Sequence, residues 1–66
     1  MKTINLFEVG DYVELISTSY EDGGLVYGDK GEVEEIYNYK FGQDILVRWE
    51  GAPKSWVDSS DCTIWR

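Results

Sequence analysis

Seven glycines and one proline cut this 66-residue chain into runs too short and too β-rich to make helices. The marks are Gly10, Gly23, Gly24, Gly28, Gly31, Gly42, Gly51 and Pro53, and the stretches between them are rich in Val, Ile, Tyr and Trp. β-branched and aromatic side chains suit a pleated surface, whereas Gly and Pro turn the chain. Short β-forming runs at close spacing, bounded by turn residues, specify an all-β barrel or sandwich. No window carries apolar residues at i, i+3, i+4 and i+7 with good helix formers between them. The nearest candidate, Gly31 to Tyr39, is flanked by glycine and built of β-formers.

The first strand is expected from Tyr12 to Ser17, with Val13 and Leu15 on one face and Tyr12, Glu14 and Ile16 on the other. A long loop follows from Thr18 to Lys30. The second strand, Glu32 to Tyr39, does not alternate cleanly, because Val33 and Ile36 are three apart. A β-bulge near Glu34-Glu35 would bring both to the interior. It would also bend the strand as a small barrel requires. Lys40-Phe41-Gly42-Gln43 reads as a hairpin, with Gly42 expected at positive φ. In the third strand, Ile45 to Glu50, the residues Ile45, Val47 and Trp49 share a face opposite Arg48 and Glu50. Gly51 to Lys54 turns the chain into a fourth strand, Ser55 to Asp58. Ser59-Ser60-Asp61 reads as a single helical turn, since Ser and Asp satisfy free backbone N–H groups. Cys62 to Trp65 then closes the sheet.

The chain is read as one domain, residues 1–66, with its core at about 7–65. A chain this short buries only about 60% of the surface its unfolded form exposes. No staple is available: Cys62 is the single cysteine and there is no histidine. Aromatics compensate, with three Trp, five Tyr and two Phe, each ring burying on the order of 150–250 Å². Val13, Leu15, Val33, Ile36, Val47, Trp49, Cys62 and Ile64 make the expected interior. The N-terminal run Met1 to Phe7 reads as neither signal peptide nor membrane span, so no membrane is expected as a partner.

Thirteen acidic residues against six basic ones give a formal charge of −7. Six carboxylates (Glu8, Asp11, Glu14, Glu21, Asp22 and Asp29) fall between Thr3 and Asp29, with no Lys or Arg among them. Phosphate neutralisation dominates nucleic-acid affinity, so direct nucleic-acid binding is not expected. The acidity reads either as a solubility device or as a surface that seeks a basic partner.

Val9-Gly10-Asp11-Tyr12-Val13-Glu14-Leu15-Ile16 resembles the opening strand of SH3-like barrels. Gly28-Asp29-Lys30-Gly31-Glu32-Val33-Glu34-Glu35-Ile36 resembles the G-x-x-G-x-V-x-x-I core of KOW-type modules. Ile45 to Gly51 and Trp56 to Cys62 resemble the third strand and the closing segment. The resemblance implies a five-stranded SH3-like barrel with a long first loop and a one-turn helix before the last strand. It points to small stand-alone proteins of bacteria and their phages, and hence to the cytoplasm of a bacterium or phage-infected cell. The loops are acidic where RNA-contacting KOW modules are basic. The ALYDY stretch and tandem Trp of peptide-binding SH3 domains are absent. SH3-like barrels host many activities, so the fold alone assigns none.

The absence of histidine removes the commonest general base and metal ligand. Cys62 has no His or CxxC partner to activate it and reads as core filler. Asp58 and Asp61 read as capping residues. Glu32, Glu34 and Glu35 lack calcium-loop spacing and read as solvated strand positions. No enzyme, cofactor or metal is expected. Tyr20, Tyr27, Tyr37, Tyr39, Trp56 and Trp65 exceed what so small an interior can hold. The expected partner site is Tyr20, Tyr27 and Trp56, rimmed by Glu21, Asp22 and Asp58, for a basic or Arg/Lys-bearing protein segment. Tyr37 and Tyr39 form a possible second surface, at an edge that could pair across a weak homodimer. Two other readings stay open: an acidic inhibitor imitating nucleic acid, and a KOW-like contact to the ribosome or RNA polymerase.

Overall fold

Alternation of apolar residues places five antiparallel strands in one sheet, as seen in a computed structural model that describes residues 6–65. The strands are β1 (Tyr12–Leu15), β2 (Lys30–Tyr39), β3 (Gly42–Trp49), β4 (Ser55–Asp58) and β5 (Cys62–Ile64). Two 3-10 turns, Glu21–Gly23 and Ser59–Asp61, are the only helical elements among the described residues. Sequence expectations for residues 1–5 and 66 lie outside the described residues. No helix of the described residues is long and apolar enough to cross a membrane.

The sheet order is β4-β3-β2-β1-β5, so among the described residues β4 and β5 are its two edges and the sheet does not close into a barrel. This corrects the expectation that Cys62 to Trp65 seals the cylinder. The reason is local. β5 has only three residues, all used in pairing with β1, where Val13, Glu14 and Leu15 face Ile64, Thr63 and Cys62. On β4, the Asp58 N–H donates to the Tyr20 hydroxyl at 3.1 Å, so a side chain occupies that position.

The expected bulge is present: the β2–β3 register shifts between Val33 and Glu35. Before it, Gly31, Glu32 and Val33 face Trp49, Arg48 and Val47. After it, Glu35, Ile36 and Tyr37 face Leu46, Ile45 and Asp44. β4 and the Ser59–Asp61 turn fall where the sequence places them. The other boundaries move. β1 ends at Leu15, β2 begins two residues early at Lys30, and β3 begins at Gly42 because only Lys40 and Phe41 make the hairpin turn.

Gly42 does not take positive φ, which corrects the hairpin expectation. Its missing side chain serves a neighbour instead. The Tyr39 ring lies across it, with the hydroxyl 3.4 Å from where a Cβ would stand.

The core comprises Phe7, Val13, Leu15, Leu25, Val33, Ile45, Val47, Trp49, Val57 and Cys62, with Ile36 packed at its margin. Ile64 is the misplaced member of the expected interior. It ends the edge strand and is 37% exposed. Phe7 enters from before β1 because the buried Gln43 amide holds its main chain. The Phe7 N–H donates to Gln43 Oε1 at 2.8 Å, and Gln43 Nε2 donates to the Phe7 carbonyl at 3.2 Å and to Asn38 Oδ1 at 2.9 Å. Pairing both groups of the amide removes the cost of burying it.

Candidate functional site

Strand alternation turns every second residue of β2, β3 and β4 away from the core, and on that outer face the register sets aromatic rings beside carboxylates. Glu35, Leu46 and Trp56 form one row across the three strands. Tyr37, Asp44 and Asp58 form the next. Tyr39 begins a third row opposite Gly42, beyond which Phe41 occupies the hairpin tip.

The exposures mark this as a surface rather than a second core. Tyr37 is 63% exposed, Phe41 74% and Trp56 47%. Leu46 is only 7% exposed although it faces outward. In the register it stands between Glu35 on β2 and Trp56 on β4.

Tyr39 braces the patch. Its hydroxyl donates to Asp58 Oδ2 at 2.8 Å, so a ring from β2 crosses β3 over Gly42 to reach β4. Asp58 Oδ1 accepts from the Ser60 N–H at 2.9 Å and from the Ser60 hydroxyl at 2.8 Å, capping the turn that starts at Ser59. The capping expectation for Asp58 holds. One carboxylate therefore fixes both the turn and the Tyr39 ring.

At one end of this face Arg48 pairs with Glu32 at 3.2 Å and Glu34 at 3.3 Å, and Lys54 pairs with Glu34 at 3.5 Å. These bonds are exposed and contribute little stability, but they occupy the nearby bases. Among the described residues no base pairs with Glu35 or Asp44. Two rings already carry cations: at the hairpin tip of this face Lys40 Nζ stands 5.4 Å from the Phe41 ring centre, and away from it Lys30 Nζ stands 4.4 Å from that of Trp65.

The residues first assigned to the partner site do not share one face, although Tyr20 and Asp58 touch. Tyr20 packs against the core, donates to Asp61 Oδ2 at 2.6 Å and accepts from the Asp58 N–H. Its position corrects the expectation of a ring in excess, because it ties the long loop to the turn before β5. Glu21 and Asp22 are exposed in the first 3-10 turn beside it. Tyr27 is exposed, but in a turn whose Gly28 N–H donates to the Leu15 carbonyl, with β2 and β3 between β1 and β4 in the sheet. Only Trp56 and Asp58 lie together on one face. The expected second surface, Tyr37 and Tyr39, is on that same face. Sequence reasoning missed Phe41, Leu46, Asp44 and Glu35. The available signal was Leu46, an apolar residue in phase with Arg48 on the polar side of β3.

Hydrogen bonding and burial act on three titrating groups. Burial pushes the Tyr20 phenol up to about 12, with its bond to Asp61 adding to the shift. The bond to Asp58 raises Tyr39 to about 12. Burial pushes the Cys62 thiol up to about 12, which leaves it protonated and inert at neutral pH. A phenol whose folded pKa lies above its unfolded value adds stability that is complete below about pH 10 and lost as pH rises through about 12. Alkaline titration of phenolate absorbance should therefore show a late-ionising fraction. Tyr20→Phe and Tyr39→Phe should each remove part of it. If neither variant does so, these two hydrogen bonds are not present in solution.

No protein-family model, curated protein or solved structure matches this chain.

Proposed function

We propose that the protein is a non-enzymatic binding module with an SH3-like strand arrangement left open at its edges, and that the outer face of β2, β3 and β4 recognises an Arg- or Lys-bearing protein segment. Three features support the SH3-like reading: the order β4-β3-β2-β1-β5, the long β1–β2 connection, and the 3-10 turn directly before β5. The functional reading rests on one observation. Tyr37, Leu46 and Trp56 share a face with Glu35, Asp44 and Asp58, in two adjacent rows that contain no base.

A guanidinium or ammonium is attracted to an aromatic face by about 0.5–1 kcal/mol at exposed sites, and by about 2 kcal/mol or more when desolvated. Carboxylates beside the rings add steering that falls with ionic strength. The combination favours a cation carried on an apolar stem over a bare ion, because Leu46 and the rings give that stem something to cover.

The test is a Trp-fluorescence titration with an Arg/Lys-rich peptide, an acidic peptide of equal length and a neutral one, each at low and moderate salt. The basic peptide alone should bind, and binding should weaken but persist as salt rises. Equal binding by all three, or by none, overturns the proposal. Loss of all binding at moderate salt would instead favour an acidic surface that imitates nucleic acid, in which charge counts and rings do not.

A further inference from the structure

The bulge has a topological effect on the edge of β2. Before it, Val33 turns its N–H and C=O toward the β1 side, where they bond to Asp11 and Gly10 at 2.8 Å each. β1 pairs with β2 only through Lys30, Gly31 and Glu32. Beyond Val33, β2 continues to Tyr39 with β3 on one side. On the other side no main-chain partner is present among the described residues.

The register identifies which groups that edge offers. β3 runs without a bulge, so its residues alternate strictly between neighbours. Val47 faces the non-bonding position opposite Val33, so Leu46 and Asp44 bond toward β2, while Ile45 and Gln43 turn toward β4. Glu35 and Tyr37 therefore bond to β3. Ile36 and Asn38 turn their N–H and C=O groups outward from the sheet. An unpaired run of this kind is a template for one more strand.

We infer that the basic segment binds as an added strand along Ile36–Asn38, with Lys or Arg at alternate positions; this rests on the function proposed above. Residues of the added strand opposite Ile36 and Asn38 exchange main-chain hydrogen bonds. Those opposite Glu35, Tyr37 and Tyr39 project onto the outer face, where a cation meets rings and a carboxylate. Charge selects this occupant over a second copy, since pairing two copies would bring together two chains of formal charge −7. The two-residue period is the distinctive requirement. A block of consecutive bases would put half its charges on the side of Ile36, which packs against the core.

The experiment uses a capped alternating Lys-Val peptide in three forms: unmodified, N-methylated at valines, and N-methylated at lysines. Valine N–H groups face β2 in the register that puts lysines on the outer face, and lysine N–H groups face away. The unmodified and lysine-methylated peptides should bind alike. The valine-methylated peptide should lose at least about tenfold, the factor for one net hydrogen bond of about 1.4 kcal/mol. Amides of Ile36 and Asn38 should exchange slowly only in the complex. Equal binding of all three forms overturns strand addition and leaves the binding face standing. Failure of all three while an Arg/Lys-rich peptide of another pattern binds also overturns strand addition alone, and failure of every basic peptide removes both proposals. Slow exchange of Ile36 and Asn38 in the isolated protein would show the edge already covered and would overturn strand addition.

Discussion

Gly31→Ala should lower the unfolding midpoint by roughly 10–20 °C, the largest loss expected from any single methyl group added to this chain. A Cβ there would stand 2.3 Å from the Arg48 carbonyl oxygen and 2.8 Å from both the Arg48 carbonyl carbon and Trp49 Cα. These atoms are main chain and cannot swing aside as a flexible side chain could. Gly31 also lies between two partners, paired with Val13 on β1 and Trp49 on β3. Relief would therefore have to push β3 outward at the point where Trp49 enters the core and donates from Nε1 to Ser55 Oγ at 3.1 Å. Overpacking of this kind costs about 1–3 kcal/mol, occasionally more. A chain of this length is expected to hold only about 3–10 kcal/mol in total. Gly51→Ala is the matched control, since its Cβ would meet nothing within 4 Å and its φ is not positive. It should leave the midpoint unchanged or raise it slightly. Equal melting of the Gly31 and Gly51 variants would contradict the close approach of β2 and β3.

Replacing Trp56 and Tyr37 together by alanine should reduce affinity for a basic peptide by about a hundredfold or more, with each single change costing at least about tenfold. Both rings lie outside the core on the same outward face, so the variants keep the fold. Tyr20→Phe separates binding from stability in the opposite direction. It removes the hydroxyl that donates to Asp61 and accepts from the Asp58 N–H, a loss of about 1–3 kcal/mol from a partly buried pair. Its peptide affinity should stay at the parent value. Retention of affinity by the Trp56/Tyr37 double variant, or its loss in Tyr20→Phe at a temperature where that variant is folded, would return the site to the long loop.

The contrast between these residues shows what the chain reveals by itself. The bulge was legible because Val33 and Ile36 are both apolar at a spacing no regular strand accommodates. β4 and the Ser59–Asp61 turn were legible because their signals are local: a β-rich run after Pro53, then residues that cap. Phe7 was not, because what buries it is the Gln43 amide, 36 positions away. Leu25 and Val57 joined the core for a similarly non-local reason, since neither belongs to a long alternating run. The excess of rings was legible, and Tyr27, Tyr37, Tyr39, Trp56 and Trp65 are indeed exposed. Their grouping was not. Whether Tyr37 lies beside Asp44 or on the opposite side of the sheet depends on the position of one inserted residue in β2. Tyr20 escaped for another reason: a phenol can join an interior when two hydrogen-bond partners meet its hydroxyl, and both come from the far end of the chain.

The binding face is tested most directly by following every backbone amide while an unlabelled Arg/Lys-rich peptide is added to isotope-labelled protein. Shifts should concentrate at Glu35, Tyr37, Asp44, Leu46 and Trp56, and leave Glu21, Asp22 and Tyr27 unmoved. Shifts centred on the loop residues, with the outer strand face silent, would contradict the account.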